Sequence, residues 1–413
     1  MNDRRVVIVD YIYDFPNKEQ LDAEELQERK DLIWESRLRE LERNYNQKFA
    51  EVACFAGLFY PSVEEHFPLG HIQAEKSKFL LSSERISLNL FQTLADRNVV
   101  SPKSNLLVSV GSAQTDNLSK FALMGLEGDE LEKAVELIDP LGYLKLLHWV
   151  RPPALETISE ASTSGIGAMY SAYSKIKKGE FDVAITGGAS AVTFPSPYEL
   201  SHFGTGDTRA IQPYEEGASG HYFSEGGVAV LLKEREQALA DGDTILAEIK
   251  DISTGTMGNP VVNRTAIKKL VSRSLANGGI GQEAEIFLEL YGRGNEIDDT
   301  AEFSCLRNLQ KNYTNLRGGF LKEDVHYIVG HYGQIGMCRL LDSVREHSLL
   351  QGREIKQPNS FIGRITNEQW SQNVSAYDLV SILSYSMHGN SYNLLLGLNE
   401  GDGDVQIEGR DYQ

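Results

Sequence analysis

Short apolar runs, none longer than a strand, recur from one end of the chain to the other. They lie at Val6–Val9, Leu106–Val110, Val183–Thr186, Val228–Leu232, Ile245–Ile249, Ile286–Leu290, Tyr327–Val329 and Leu394–Leu398. Continuous apolar runs of this length suit strands buried on both faces, which have no polar side to show. Segments with helical spacing fall between them, at Ile166–Lys178 and Thr265–Ala276. The alternation predicts an α/β protein. Leu21–Gln47, rich in Glu, Arg and Leu, places Leu26, Ile33, Leu38 and Leu41 near one helical stripe. It reads as a long amphipathic helix with a solvated charged face; a partner-binding coiled coil is the sharper alternative, but no strict heptad is kept. No window approaches the ~18 consecutive apolar residues of a membrane helix.

The 413 residues predict two to three domains or one large duplicated unit. A composition shift at Lys233–Asp243 (KEREQALADGD) sets the expected boundary, with halves at 1–235 and 236–413. With 41 % hydrophobic and 24 % charged residues the chain is ordinary globular material, which excludes long disorder. Forty basic against 59 acidic residues give 40 − 59 = −19. Without a basic run, and none is present, that charge argues against nucleic-acid or anionic-membrane partners. Cys54, Cys305 and Cys338 are odd in number and widely spaced, as expected in a reducing compartment without disulfides or a zinc site. The N-terminal apolar run is broken by aspartates before signal-peptide length, so a cytoplasmic protein is expected. His66, His71, His148, His202, His221 and His347 lack metal-ligand spacing, so no metal is expected.

The segment Thr157–Ala189 reads TISEASTSGIGAMYSAYSKIKKGEFDVAITGGA. It predicts a strand over Leu155–Ile158, a tight turn crowded with small residues, a helix from about Thr163, then a second strand. Such an elbow presents one side chain at a helix N-terminus, where free N–H groups favour developing negative charge. An acyl-transfer nucleophile with its oxyanion hole suits that position. The plainer reading is that Ser162 or Thr163 only caps the helix.

Taken with its surroundings, the elbow resembles that of the β-ketoacyl synthases of fatty-acid and polyketide assembly, where it reads (D/S)TACSSG or similar. Four further stretches follow in the family's order. AIQPYEEGASGHYFSEGGVAVLLKE (Ala210–Glu234) resembles RPFD…RDGFVxGEGAxVLxLE, and YGRGNEIDDTAE (Tyr291–Glu302) resembles HGTGTxxxDxxE. HYIVGHYGQIG (His326–Gly336) resembles KSxxGHxxxAxG, and SYSMHGNSYNLLL (Ser384–Leu396) resembles the SFGFGGTN loop and final strand. The likeness spans Thr157–Leu396; over the first ~100 residues little matches beyond the strand RRVVIVD. It also absorbs the glycines of GRG and GHYGQIG, too loose for a dinucleotide fingerprint, so no cofactor is expected. The implied fold is thiolase-like: five-layered αβαβα, two duplicated halves, each with a five-stranded mixed sheet.

The family works with a cysteine and two histidines. The resemblance places Ser162 at the cysteine, Tyr291 at the first histidine, His331 at the second and His326 at the usual lysine, with Glu302 kept. A serine hydroxyl is a weaker nucleophile than a thiolate, and a phenol with a pKa near ~10 is no neutral-pH base. Losing cooperating groups normally loses most of the rate. The resemblance therefore implies a degenerate synthase of the chain-length-factor kind. Such a factor forms a heterodimer with an active ketosynthase and shapes the tunnel of a type II polyketide system. The alternative is a Ser162/His331 acyltransferase or residual condensing or decarboxylating enzyme acting on carrier-protein thioesters. At the gate and oxyanion loop stand Met387, His388 and Gly389, with His388 replacing a glycine of the kind that supplies φ > 0. Tunnel candidates are Phe121, Met124, Tyr143 and Trp149, although core packing explains most bulky side chains there. Acyl carrier protein is an expected partner, through a basic docking patch on the partner synthase because this chain is acidic.

Overall fold

The computed structural model describes residues 4–16, 60, 63–69, 76, 80–98, 100, 103–113, 128–129, 137, 141–147, 152–191, 213–218, 220, 224–257, 262–322, 325–345, 354–365, 369–371, 377–386 and 388–398. Leu21–Gln47 lies outside them.

The strands come in two sets of five. The first holds β1 (Val6–Asp14), β2 (Leu106–Gly111), β3 (Ala154–Ile158), β4 (Val183–Ser190) and β5 (Gly226–Glu234). The second holds β6 (Ala247–Thr256), β7 (Ile286–Glu289), β8 (Leu316–Gly319), β9 (Leu379–Tyr385) and β10 (Asn390–Gly397). Spatial order is β3-β2-β4-β5-β1-β6-β10-β9-β7-β8. Read outward from the centre, each set runs first, fifth, fourth, second, third. In each, the second strand is parallel to the third and fourth, and the remaining pairs are antiparallel. One fold has been used twice. The resemblance implied two sheets; here a short antiparallel pairing of Val6–Ile8 with Ala247–Ile249 joins them into one ladder.

Side-chain alternation assigns the layers, because neighbouring strand residues point to opposite faces. Val6, Ile8, Val228 and Val230 enter a central core with Ile382, Leu394 and Leu396 of the second set. Val7, Val9, Ala229 and Leu231 face an outer core of the first set, and Leu288, Leu383 and Leu395 an outer core of the second. The central core is filled by α2 (Ser164–Lys178) and α6 (Tyr332–Arg345), through Ile166, Met169, Ile335 and Cys338. Helix α1 (Ser82–Arg97) covers the first outer face, and α4 (Arg264–Asn277) with α5 (Glu296–Gln310) the second. The result is αβαβα.

Between the two sets lies α3 (Arg235–Asp241), half exposed and ended by Gly242 in the left-handed region (φ 76°). Lys233 beside it is fully buried, its ammonium held by Asp241 and Asp243. One sequence expectation is corrected. Tyr327–Val329 forms no strand of the sheet; the Tyr327 carbonyl accepts the Ser224 N–H.

Candidate functional site

The elbow forms where β3 ends. A short 3-10 turn, Ala161–Thr163, leads into α2, and Ala161 takes φ 50°. A left-handed alanine is strained, and such strain persists only where surrounding contacts over-determine it. Ser162 follows, half buried. No side chain caps α2: Thr163, at the N-cap position, instead donates its hydroxyl to the Glu160 carbonyl. Glu160 holds the turn to the second half by accepting from the Tyr392 hydroxyl at 2.6 Å.

His331 stands immediately before α6, and the Gly330 carbonyl accepts the Gly165 N–H of α2 at 2.8 Å. The imidazole is wholly buried and walled by glycines. A Cβ on Gly165 would lie 2.8 Å from Nδ1, and one on Gly188 would lie 2.8 Å from Cε1. Nδ1 is 3.1 Å from Gln334 Oε1. Burial drives the His331 pKa down to about 4, so the ring is neutral at pH 7. Among the described residues no hydrogen bond joins it to Ser162.

Tyr291 lies at the end of β7 in a closed polar network. Its hydroxyl shares a 3.0 Å hydrogen bond with the Tyr327 hydroxyl. Its ring stands 4.5 Å from Tyr385 and 5.4 Å, edge-on, from Tyr332. Tyr332 follows His331 in sequence and thereby brings that segment against Tyr291. Beneath Tyr291, the Glu302 carboxylate accepts from the Tyr214 hydroxyl at 2.8 Å, the Tyr385 hydroxyl, and the N–H groups of Tyr291 at 3.0 Å and Gly292 at 3.3 Å. Asp299 accepts the Tyr214 and Gly294 N–H groups. Arg293 pairs with Asp298 at 2.8 Å, and Lys322 with Glu289. Burial lifts Glu302 to about 7, against the pull of its donors, and pushes Asp299 well above the carboxylate range. It also pushes the Tyr291 phenol well above its ordinary value. A neutral phenol already committed to a neighbour can donate one hydrogen bond and cannot accept a proton at pH 7.

His326 is buried, with φ 54°. Lys322, four residues earlier, carries the buried ammonium of this region. The loop between β9 and β10 carries His388 and Gly389. The positive φ falls on Gly389 (90°), and His388 is exposed, its N–H donated to Ser386 Oγ. Met387 lies outside the described residues, as do Phe121, Met124 and Trp149. Tyr143 packs in the outer core beside α1. Sequence reasoning missed Tyr214, Tyr327, Tyr332, Tyr385, Lys322 and Gln334; their partners come from distant segments, so no local spacing announces them.

The family described as Beta-ketoacyl synthase, N-terminal domain, matches residues 151–238. Curated relatives include the non-reducing polyketide synthase stbA of Stachybotrys bisbyi, 27 % identical over 231 residues, or 54 % of this chain. Another is the 3-methylorcinaldehyde synthase of Sarocladium schorii, 27 % identical over 229 residues, or 52 % of this chain. The matches cover 10 % and 8 % of those proteins, so the chain spans about a tenth of the length of these relatives. Among solved structures, the oxazolomycin ketosynthase domain OzmH KS7 of Streptomyces albus JA3453 superposes with TM-score 0.74 at 19 % identity, covering 99 % of this chain and 78 % of that one. The ishigamide ketosynthase/chain length factor gives TM-score 0.69 at 18 % identity, covering 96 % and 99 %. The repeated strand order and these superpositions give the chain the fold of the solved ketosynthases, and its residues 151–238 match the β-ketoacyl synthase N-terminal domain family.

Proposed function

We propose that the chain is a chain-length-factor-like subunit of a polyketide β-ketoacyl synthase. It pairs with an active ketosynthase and contributes shape to the acyl tunnel rather than bond-making. The observation that carries this reading is the Tyr291 network: a phenol, fully buried and hydrogen-bonded to Tyr327, fills the first histidine position. Decarboxylation and enolate stabilisation need donors aimed at the reacting oxygen, and such a phenol is committed elsewhere. Ser162 adds a weak nucleophile, and no hydrogen bond to His331 activates it. In this reading 1–235 and 236–413 are the duplicated units, which the repeated strand order supports. Among the described residues the outer edge of β3 is unpaired, which favours a partner. Across the sheet, the outer edge of β8 is covered by 369–371 through Gly318, whereas no such bonds cover β3 among the described residues. An uncovered edge strand is a template for pairing.

A second reading is favoured by one observation. Ala161 takes a strained φ and Ser162 stays half exposed in the turn that leads into a 15-residue helix, an arrangement suited to a serine acyl acceptor working on carrier-bound thioesters. Two measurements separate the readings. Co-expression with a cysteine-bearing ketosynthase yields a stable heterodimer under the first, and intact-mass spectrometry after incubation with an activated acyl thioester shows no adduct. A homodimer acylated on Ser162, with the adduct lost in Ser162→Ala, sinks the first and establishes the second.

A further inference from the structure

Gln334 lies in the first turn of α6, three residues after His331, and is wholly buried. Its Oε1 is 3.1 Å from His331 Nδ1. Gly165 of α2 decides which end of the amide faces the ring. A Cβ built on Gly165 would collide with Gln334 Oε1 and lie 2.9 Å from its Cδ. In glycine that direction is a Cα–H bond, so the hydrogen points at the amide oxygen. A C–H against an oxygen is weakly attractive, whereas an NH2 group in that place would set hydrogen against hydrogen. The oxygen stays, and an amide oxygen only accepts.

The place of the ring proton follows. Burial keeps His331 neutral at pH 7, and a neutral imidazole carries one N–H. An acceptor beside Nδ1 makes that nitrogen the donor. Nε2 is left as a bare lone pair, with no hydrogen-bond partner among the described residues. On its side stand Gly188 of β4, whose Cβ would lie 3.1 Å away, and the Gly111 carbonyl of β2, itself an acceptor.

We propose that Gln334 is a positioning residue that fixes His331 in the Nδ1–H tautomer and so turns its Nε2 into an acceptor. A developing oxyanion needs an N–H or O–H aimed at it, and an acceptor cannot serve. Such an Nε2 accommodates a neutral O–H or N–H donor instead. With the Tyr291 phenol committed to Tyr327, the tautomer withdraws the donor from the second histidine position as well. That consequence for the chemistry rests on the chain-length-factor-like reading. The tautomer itself rests on Gln334, Gly165 and His331 alone.

The test uses the full chain, labelled with nitrogen-15 at its nine histidines. Long-range proton–nitrogen correlation spectra are recorded at pH 7, with His331→Gln identifying the signal. A pyrrole-type Nδ1 and a pyridine-type Nε2 are expected. Gln334→Met keeps an unbranched side chain but removes the acceptor, and is expected to shift the tautomer ratio roughly five- to ten-fold toward Nε2–H. Tyr332→Phe, adjacent to His331 but not bonded to its ring, should move the ratio by less than about two-fold. A pyrrole-type Nε2 in the parent protein overturns the proposal, as does a ratio in Gln334→Met equal to the parent's. The parent spectrum decides the matter even where a variant fails to fold. Pairing with a synthase is not read in this assay, so failure of the tautomer and failure of the heterodimer reading are separate results.

Discussion

The Glu289–Lys322 pair offers the sharpest energetic test of the second half. Both side chains are fully buried. The carboxylate also accepts the Leu321 N–H at 3.1 Å, and the ammonium donates to the Leu290 carbonyl at 2.9 Å. Lys322→Met strands a carboxylate in a low-dielectric core. Its escape is to take up a proton, which sets a ceiling on the cost. From the ordinary value of 4.5, keeping the acid neutral at pH 7 costs about 1.36 × 2.5 ≈ 3.4 kcal/mol. Burial already lifts Glu289 with the lysine present, so part of that cost exists in the native protein. The expected destabilisation is therefore about 2–3.5 kcal/mol at pH 7. At pH 5 the ceiling falls to about 0.7 kcal/mol. The double variant Glu289→Gln/Lys322→Met removes both charges and should lie within about 1.5 kcal/mol of the parent. Urea unfolding of all three proteins at both pH values provides the measurement. A single-variant cost under about 1 kcal/mol at pH 7, or one unchanged at pH 5, would show that the pair is not isolated from water and refute the reasoning.

Other consequences are equally direct. Glu302 has a folded pKa of about 7 against an ordinary 4.5. A raised folded value contributes stability that is fully present below pH 4.5 and lost as pH rises through 7, about 3 kcal/mol in all; Glu302→Gln should flatten the slope of unfolding free energy over that window. His331 has the opposite sign, with its folded pKa lowered to about 4. Its contribution is present above pH 6.5 and lost as pH falls toward 4, and an NMR titration of its ring should show no protonation at pH 6. Gly188→Ala would set a Cβ 2.5 Å from the Gly111 carbonyl at φ 145°; backbone cannot yield cheaply, so a loss above about 2 kcal/mol is expected by thermal or urea unfolding. Tyr291→Phe leaves the Tyr327 hydroxyl without its phenol partner and should cost about 1–2 kcal/mol, measured the same way. Tyr291→His should not create condensing activity with malonyl-carrier substrate, because Ser162 still lacks an activating base.

The apolar runs, read along the chain, determined the layers of the fold. Buried strands of an α/β protein are apolar on both faces, so eight of the ten were legible, whereas Leu316–Gly319 (LRGG) and Leu379–Tyr385 (LVSILSY), interrupted by an arginine, glycines and serines, were not among the runs. Tyr327–Val329, the shortest, belongs to a buried turn, since apolarity reports burial and not conformation. The order of motifs likewise determined Ser162, Tyr291 and His331 as the residues to weigh. What they had become was decided in three dimensions. Tyr291 reads as a lost base in sequence, but its commitment to Tyr327, Tyr385 and Glu302 depends on β7, β9 and α5 converging from segments far apart in the chain. The burial that lowers His331 is built by glycines on β4 and α2. Net charge was a sum along the polymer, whereas the local field depends on charge per unit surface. The inward turn of the α5 carboxylates and the four cations on the flanks of the exposed face of α4 give an acidic chain a locally basic side, a consequence of which face each helix packs that no count of residues contains.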